Sequence, residues 1–416
     1  MSAYSVQRSM AAGLALLGCV ACGESGNFAG TIEALPDGRV RVTNPESGIW
    51  SSGGAWQLIQ DLAIGAVEGT DAEVFGQIAA IQVDGAGRIY VLDRQANELR
   101  IFAPDGSHVR TVGRSGSGPG EYANANGLAW LSPDSLLVVD QRGRRYSVLT
   151  RDGDFVRSVP RSLGFFGWIA SIAILDDRIY ELASVRDSSG PVPAILGTWM
   201  RSATVLADQP PDAAGADEKA GGLIPHVDTL RLPMSPRPRI EPFVVRNPRA
   251  MMMMSVPFTP GPGYHVDSAG NLWHGHSSEF RLFRSTPAGD TTLEITVAAT
   301  PAPVTPEEIQ KWEEGTKEFK EMGGELDLSR IPKTKPYFDG LYVDPDGYLW
   351  VSVPAGANET VFAVIDPQGR YLGRLQVAGI RREAGVPPVV RNGNLYVVAR
   401  DELEVPRVFR YRISGP

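Results

Sequence analysis

The stretch Trp273-His274-Gly275-His276-Ser277-Ser278-Glu279 holds the side chains best suited to metal chemistry. Its two imidazoles stand two residues apart, on one side of an extended strand, with a carboxylate just beyond. His274, His276 and Glu279 are therefore the candidates if a divalent ion binds. One histidine pair does not complete a zinc site, and His108, His226 and His265 have no spacing that supplies further ligands. Calcium would need several oxygens; Glu121, Asn124, Asn126 and Asp339 are available, but no spacing demands them. No cofactor is expected from these residues, and a divalent ion stays an open alternative.

A second set offers hydrogen bonds and stacking surfaces. Asp93 and Asp140 each end a β-branched run, and two readings apply to both. A short carboxylate there caps the following loop by accepting backbone N–H bonds. Alternatively it belongs to a polar rim that holds a ligand, together with Asn97, Asn126, His265, His276 and Asp339. Trp168, Tyr264 and Tyr337 are expected near the starts of strands, either as packing or as a platform for a sugar or other flat ligand. The run Met251 to Met254 reads as adaptable packing, with an apolar pocket or a soft-metal site as the alternative.

The elements that position these residues are written twice in Gln82 to Val159. Each copy is a β-branched run, a tight turn, a second run ending in Asp, a polar loop, a third run, an Asp-Gly turn and a fourth run. Four short hairpin-linked strands in tandem are the pattern of β-propeller blades. The interval between Gly87 and Gly106 recurs between Asp134 and Gly153 and between Gly270 and Gly289, and lengthens between Gly347 and Gly369. First strands near Ile78, Asn126, Trp168, Tyr264, Phe338 and Val386 make six blades. A four-stranded meander cannot bury both faces alone, so the ring must close. Trp56 to Ile64 is expected to close it as the outermost strand of the last blade, beside Arg407 to Ile413.

Two inserts, 207–257 and 300–335, interrupt the rhythm. The second carries one expected helix over Val304 to Ser329, with a capping box at Thr305 to Glu308, Pro306 at its first position and Gly323 at its end. Ile309, Trp312, Phe319 and Met322 form its buried stripe. Gly315 weakens it by about 1 kcal/mol relative to alanine. Ahead of the ring, residues 1–21 read as a secretory signal, and 22–55 as a tether with a hairpin turning at Pro36-Asp37-Gly38. The apolar core ends at Leu16-Leu17-Gly18-Cys19-Val20-Ala21-Cys22, which resembles a bacterial lipobox, with Cys19 or Cys22 as the lipidated residue.

The pattern Val83-Asp84-Gly85-Ala86-Gly87-Arg88-Ile89-Tyr90-Val91-Leu92-Asp93, with Asn97 and Phe102 to Gly106, resembles NHL-type six-bladed propellers. Tyr264 to Phe283 and Tyr342 to Ile365 are looser copies. The linker Gly113 to Tyr122 is similar to that of bacterial six-bladed propeller lipoproteins. The resemblance implies an all-β, six-bladed propeller over 56–416. It implies little about activity, because this scaffold carries lyases, lactonases, esterases and binding modules alike.

Composition narrows the partners. A net charge of −8 without any basic run argues against nucleic acid. Glycine and proline together make up close to a fifth of the 416 residues, which suits many turns and few helices. No nucleophile elbow, phosphate loop or dinucleotide fingerprint occurs. Two function classes follow. One is a lipid-tethered extracytoplasmic module that binds a small molecule, glycan or protein. The other is a metal-dependent hydrolase or lyase built on Asp93, Asp140 and His276, with the Thr305 helix as lid.

Overall fold

The computed structural model describes residues 28–69, 72–161, 172–175, 178–187, 194–205, 228–231, 240–248, 250–356 and 359–415. Among them are five antiparallel meanders of four strands and a sixth sheet that draws on both ends of the chain. Sheet one is Ile78–Val83, Ile89–Asp93, Glu98–Phe102 and His108–Val112. Sheet two is Ala125–Ser132, Ser135–Asp140, Arg145–Thr150 and Phe155–Pro160. Sheet three is Ile172–Leu175, Arg178–Asp187, Ala194–Val205 and Asp228–Arg231. Sheet four is Pro262–Val266, Leu272–His276, Arg281–Ser285 and Thr291–Val297. Sheet five is Gly340–Val343, Leu349–Val353, Glu359–Ile365 and Tyr371–Ala378.

Sheet six takes its strands from both ends of the chain. Asn394–Arg400 pairs with Pro406–Ser414, which pairs antiparallel with Gln57–Ile64, Val408 standing opposite Ile64 and Ser414 opposite Gln57. The expected first strand at Val386 is absent. Two short pieces, Arg381–Arg382 and Val389–Arg391, pair with Asn394–Arg400 instead. Pro387 and Pro388 lie between them, and proline has no N–H to continue a ladder.

A repeated turn builds three of the meanders, those of sheets one, four and five. Gly87, Gly270 and Gly347 take φ of +85°, +82° and +85° in the first hairpin, a conformation that costs glycine no Cβ clash. The aspartate three residues earlier accepts the turn's N–H groups and also holds the ring six residues on. Asp84 binds the Tyr90 hydroxyl, Asp267 the Trp273 indole at 3.0 Å and Asp344 the Trp350 indole at 3.0 Å. The turn is thereby pinned to the core.

Alternation along the second strands buries both faces of each sheet. In sheet one, Ile89 and Val91 pack toward Tyr396 and Val398 of sheet six, while Tyr90 and Leu92 pack toward Leu136 and Val138 of sheet two. Comparable clusters join sheet two to Ile179 of sheet three, sheet four to sheet five, and sheet five to sheet six. The outermost strands are solvated, as at His108–Val112.

The hairpin ahead of the ring is present, as Thr31–Ala34 and Val40–Asn44, but it is not a free tether. Val40–Asn44 runs parallel to Thr291–Val297 and extends sheet four. Val42 is fully buried there, and the buried Asn44 side chain donates to the carbonyls of Thr296 and Gly369 and accepts from the Tyr371 N–H.

The expected single helix is two. α1 (Pro306–Glu314) and α2 (Lys317–Glu321) are separated at Gly315, and the chain turns away at Gly323 with φ of +89°. The Thr316 hydroxyl donates to the Glu313 carbonyl at 2.7 Å, a local bond that competes with helix continuation where glycine already weakens it. The capping box at Thr305 and Glu308 is formed. Ile309, Trp312, Phe319 and Met322 do face one core, but it is built against the ribbon Phe243–Arg246 and Met251–Met254. Met252 and Met254 point into that core while Met251 and Met253 are exposed. No helix among the described residues is long and apolar enough to cross a membrane.

Candidate functional site

The aspartates that end second strands close loops. Asp93, 1% exposed, accepts the backbone N–H groups of Gly76, Gln77, Gln95 and Ala96. Asp140, fully buried, accepts those of Ala123, Asn124 and Gly143 and the Arg145 guanidinium. Each carboxylate fastens the loop after the second strand to the segment that begins the first. In sheet four the expected equivalent is His276, yet Ser277 does the work, its hydroxyl accepting the Gly261 N–H at 2.9 Å. Asn97, at φ +58°, accepts the Ala125 N–H and donates to Ser115, joining sheets one and two.

Asn126 sits on a bulge of sheet two, and its amide donates to the Gln141 side chain at 2.9 Å. His276 shares a 2.9 Å bond with the Ser278 hydroxyl. His274 is buried deeper, stacked on Phe283 and bonded to Ser285 at 3.1 Å. Burial drops its pKa to about 4, so it is neutral near pH 7. The Tyr337 N–H donates to the Ser277 carbonyl, and its ring packs on the core between sheets four and five. Among the described residues, no three His, Cys, Asp or Glu side chains gather in a metal-binding group. Cys19, Cys22 and Trp168 lie outside the described residues.

Two of the cavities among the described residues are lined by candidate residues. The first, about 360 Å³, is axial: Ile81, Trp130, Ile174, His265 and Tyr342 reach it from the first strands of sheets one to five, and Val389 from a short piece paired in sheet six. His265 meets Tyr342 edge to face at 6.4 Å, and burial lowers its pKa to about 4. It presents a neutral imidazole to the cavity.

The second cavity, about 550 Å³, lies between α1 and the strand ends of sheets five and six. Two cations nearly out of water line it. Arg382, 9% exposed, donates to Asp339 at 3.2 Å and to Ser352 at 2.9 Å, and its guanidinium lies over the Tyr342 ring. Lys335, 8% exposed, pairs with Glu308 of α1 at 2.6 Å and donates to the Ala355 carbonyl at 3.3 Å. Trp312, Phe258 and Pro354 supply apolar wall. A cleft with an apolar wall and a few fixed charges is the usual form of a small-molecule site.

Of the candidates read from sequence, the structure places Asp339 in this cleft and His265 in the axial cavity. Asp93, Asn97 and Asp140 are occupied in holding loops. Lys335, Arg382 and Glu308 were not legible as site residues. Glu308 reads from sequence as a capping residue, and nothing in the local spacing marks the other two.

Residues 59–148 match a family model described as a 6-bladed beta-propeller, a segment that takes in the closing strand of sheet six, all of sheet one and most of sheet two. The fold is a β-propeller. Solved structures similar to the chain include a putative exported protein from Bacteroides fragilis, at 10% identity over 90% of this chain and 99% of that one, with a TM-score of 0.47. A member of the DUF4221 family from Bacteroides vulgatus shares 10% identity over 87% of this chain and 99% of that one, TM-score 0.45. Virginiamycin B lyase from Staphylococcus aureus shares 11% over 86% and 99%, TM-score 0.37. No curated protein matches the chain.

Proposed function

We propose that this propeller is a six-bladed, lipid-tethered extracytoplasmic module that binds a small molecule in the cleft beneath α1. The observation that carries the reading is the pair of nearly buried cations, Lys335 and Arg382, held in place on the wall of a 550 Å³ cavity. Burying a charge is unfavourable unless it is fixed and partnered, so two such cations on one cavity wall are held there by specific partners. The six-bladed reading is supported by the Gln57–Ile64 pairing and by the axial cavity, to which all six sheets contribute. The tether rests on the lipobox-like sequence around Cys19 and Cys22, in an N-terminal segment that follows no blade pattern.

Binding is preferred to metal-dependent hydrolysis because of how the polar residues are used. Asp93 and Asp140 spend their oxygens on backbone N–H groups, and the His276 ring shares a bond with the Ser278 hydroxyl. The test is a thermal-shift screen of small molecules against the purified chain, with parallel metal analysis. The expected result is stabilisation by at least one compound without added metal, weakened by Lys335→Gln. A stoichiometric divalent ion, with hydrolysis of a test ester that stops on chelation, would establish the enzyme reading instead. Radiolabelled fatty acid should enter the chain and be lost from the Cys19→Ser, Cys22→Ser double variant; label retained by that variant contradicts the tether.

A further inference from the structure

The carboxylate that neutralises Lys335 comes from the helical insertion and not from the sheets. Glu308 reaches Lys335 with Oε1, while its Oε2 accepts the Thr305 N–H at 3.1 Å. One side chain thus starts α1 and fastens it across the cleft. On the far side, Arg382 is already committed to Asp339, Ser352 and the carbonyls of Glu383 and Ala384, so it forms wall. Lys335 holds one carboxylate and one carbonyl.

If only the first turn of α1 opens, with Trp312 still packed against Phe243, Lys335 keeps only the Ala355 carbonyl. A charge left beneath the helix without its counter-ion is disfavoured, so that turn opens readily only when another anion arrives. The place vacated is shaped for a single carboxylate, because a carboxylate occupies it now. Beside it stand Trp312, Phe258, Pro354 and Val361, which would cover an apolar body.

We propose that the cleft takes a small organic carboxylate with an apolar body, and that its carboxylate replaces Glu308 on Lys335 and so frees the first turn of α1. The proposal rests on the binding reading above and adds the ligand class and the moving part. An anion that exchanges with a built-in carboxylate gives a lid whose opening is coupled to ligand. The shift can be no larger than the ligand's preference for the open state over the closed one.

The experiment uses 4-phenylbutyrate and its neutral counterpart 4-phenylbutanamide as probes on the full chain. Hydrogen–deuterium exchange is followed across Pro306–Glu314, with thermal melting alongside. Phenylbutyrate should speed exchange in α1 several-fold and raise the melting temperature, and the amide should do neither. Glu308→Gln should show fast α1 exchange without probe and bind phenylbutyrate about tenfold tighter, since the internal competitor is gone. Lys335→Gln should lose the phenylbutyrate response; if it fails to fold, the Glu308→Gln comparison still decides. Unchanged α1 exchange with phenylbutyrate, or equal affinity in Glu308→Gln and the native chain, overturns the proposal. Amide and acid binding equally, both weakened by Trp312→Ala, overturns the anion while the binding cleft stands. Failure of every compound to bind overturns both.

Discussion

Single carboxylates decide loop geometry in this chain. Asp140 satisfies three backbone N–H groups that would otherwise be stranded at a buried strand end. Asp140→Ala should cost about 3 kcal/mol in urea unfolding, near 1 kcal/mol per orphaned donor. A loss below about 1 kcal/mol would show that water replaces the carboxylate. His274 gives a pH signature. Its pKa falls from 6.5 to about 4 on burial, so between those values the unfolded chain binds the proton more readily than the folded one. Its contribution is complete above about pH 6.5 and is lost as pH falls toward 4, on the order of 3 kcal/mol in all. His265 acts in the same direction. His274→Phe should flatten that part of the stability profile; an unchanged slope would mean that His274 protonates freely in the fold. The capping role of Asp93 and Asp140 was legible in sequence because it depends on residues close by. Lys335 and Arg382 were not, because what marks them as candidates is burial, and burial is set by elements distant in the chain.

Among the elements, the insertion and the N-terminal hairpin show where local reading stops. The capping box and the apolar stripe of the insertion read correctly, yet the helix divides at Gly315. Gly315 has φ of −74°, and a Cβ there would meet the Trp312 carbonyl at 3.4 Å, an ordinary contact. Gly315→Ala should therefore raise stability by about 0.5–1 kcal/mol, seen as a higher melting temperature. A drop would mean that the break is required for packing Phe319. The hairpin turn at Pro36 to Gly38 was equally readable, but its docking was not, since parallel pairing with Thr291–Val297 joins segments from opposite ends of the chain. Three arginines, Arg39, Arg41 and Arg281, surround the buried Glu294 at that seam. Burial alone would raise the Glu294 pKa, but the bonds from Arg41 and Arg281 outweigh it and hold the carboxyl below its usual range. Asn44→Ala removes three hydrogen bonds of a buried amide and should cost about 2–3 kcal/mol, measured by chemical denaturation. Near-neutral behaviour would indicate that the hairpin is dispensable to the sheets.

At the scale of the molecule, the alternation of Ile89 and Val91 against Tyr90 and Leu92 shows why one sheet cannot stand alone. Each face needs a neighbour, and the clusters run from sheet four through five, six, one and two to sheet three. Sheet six is the weak point of such an arrangement, because its outer strand comes from the other end of the chain and must find Pro406–Ser414 late in folding. The repeated turn spacing made this architecture readable, whereas the region around sheet three, with its long insert, blurred it. The pairing of Gln57–Ile64 with Pro406–Ser414 joins the two ends of the chain in that one sheet. Amide hydrogen exchange of Gln57–Ile64 and Pro406–Ser414 in the native chain tests this most directly. The two segments should be protected alike and lose protection together with the cores of sheets one and five, at the free energy of global unfolding. Rapid exchange of Gln57–Ile64 while Pro406–Ser414 stays protected would contradict it.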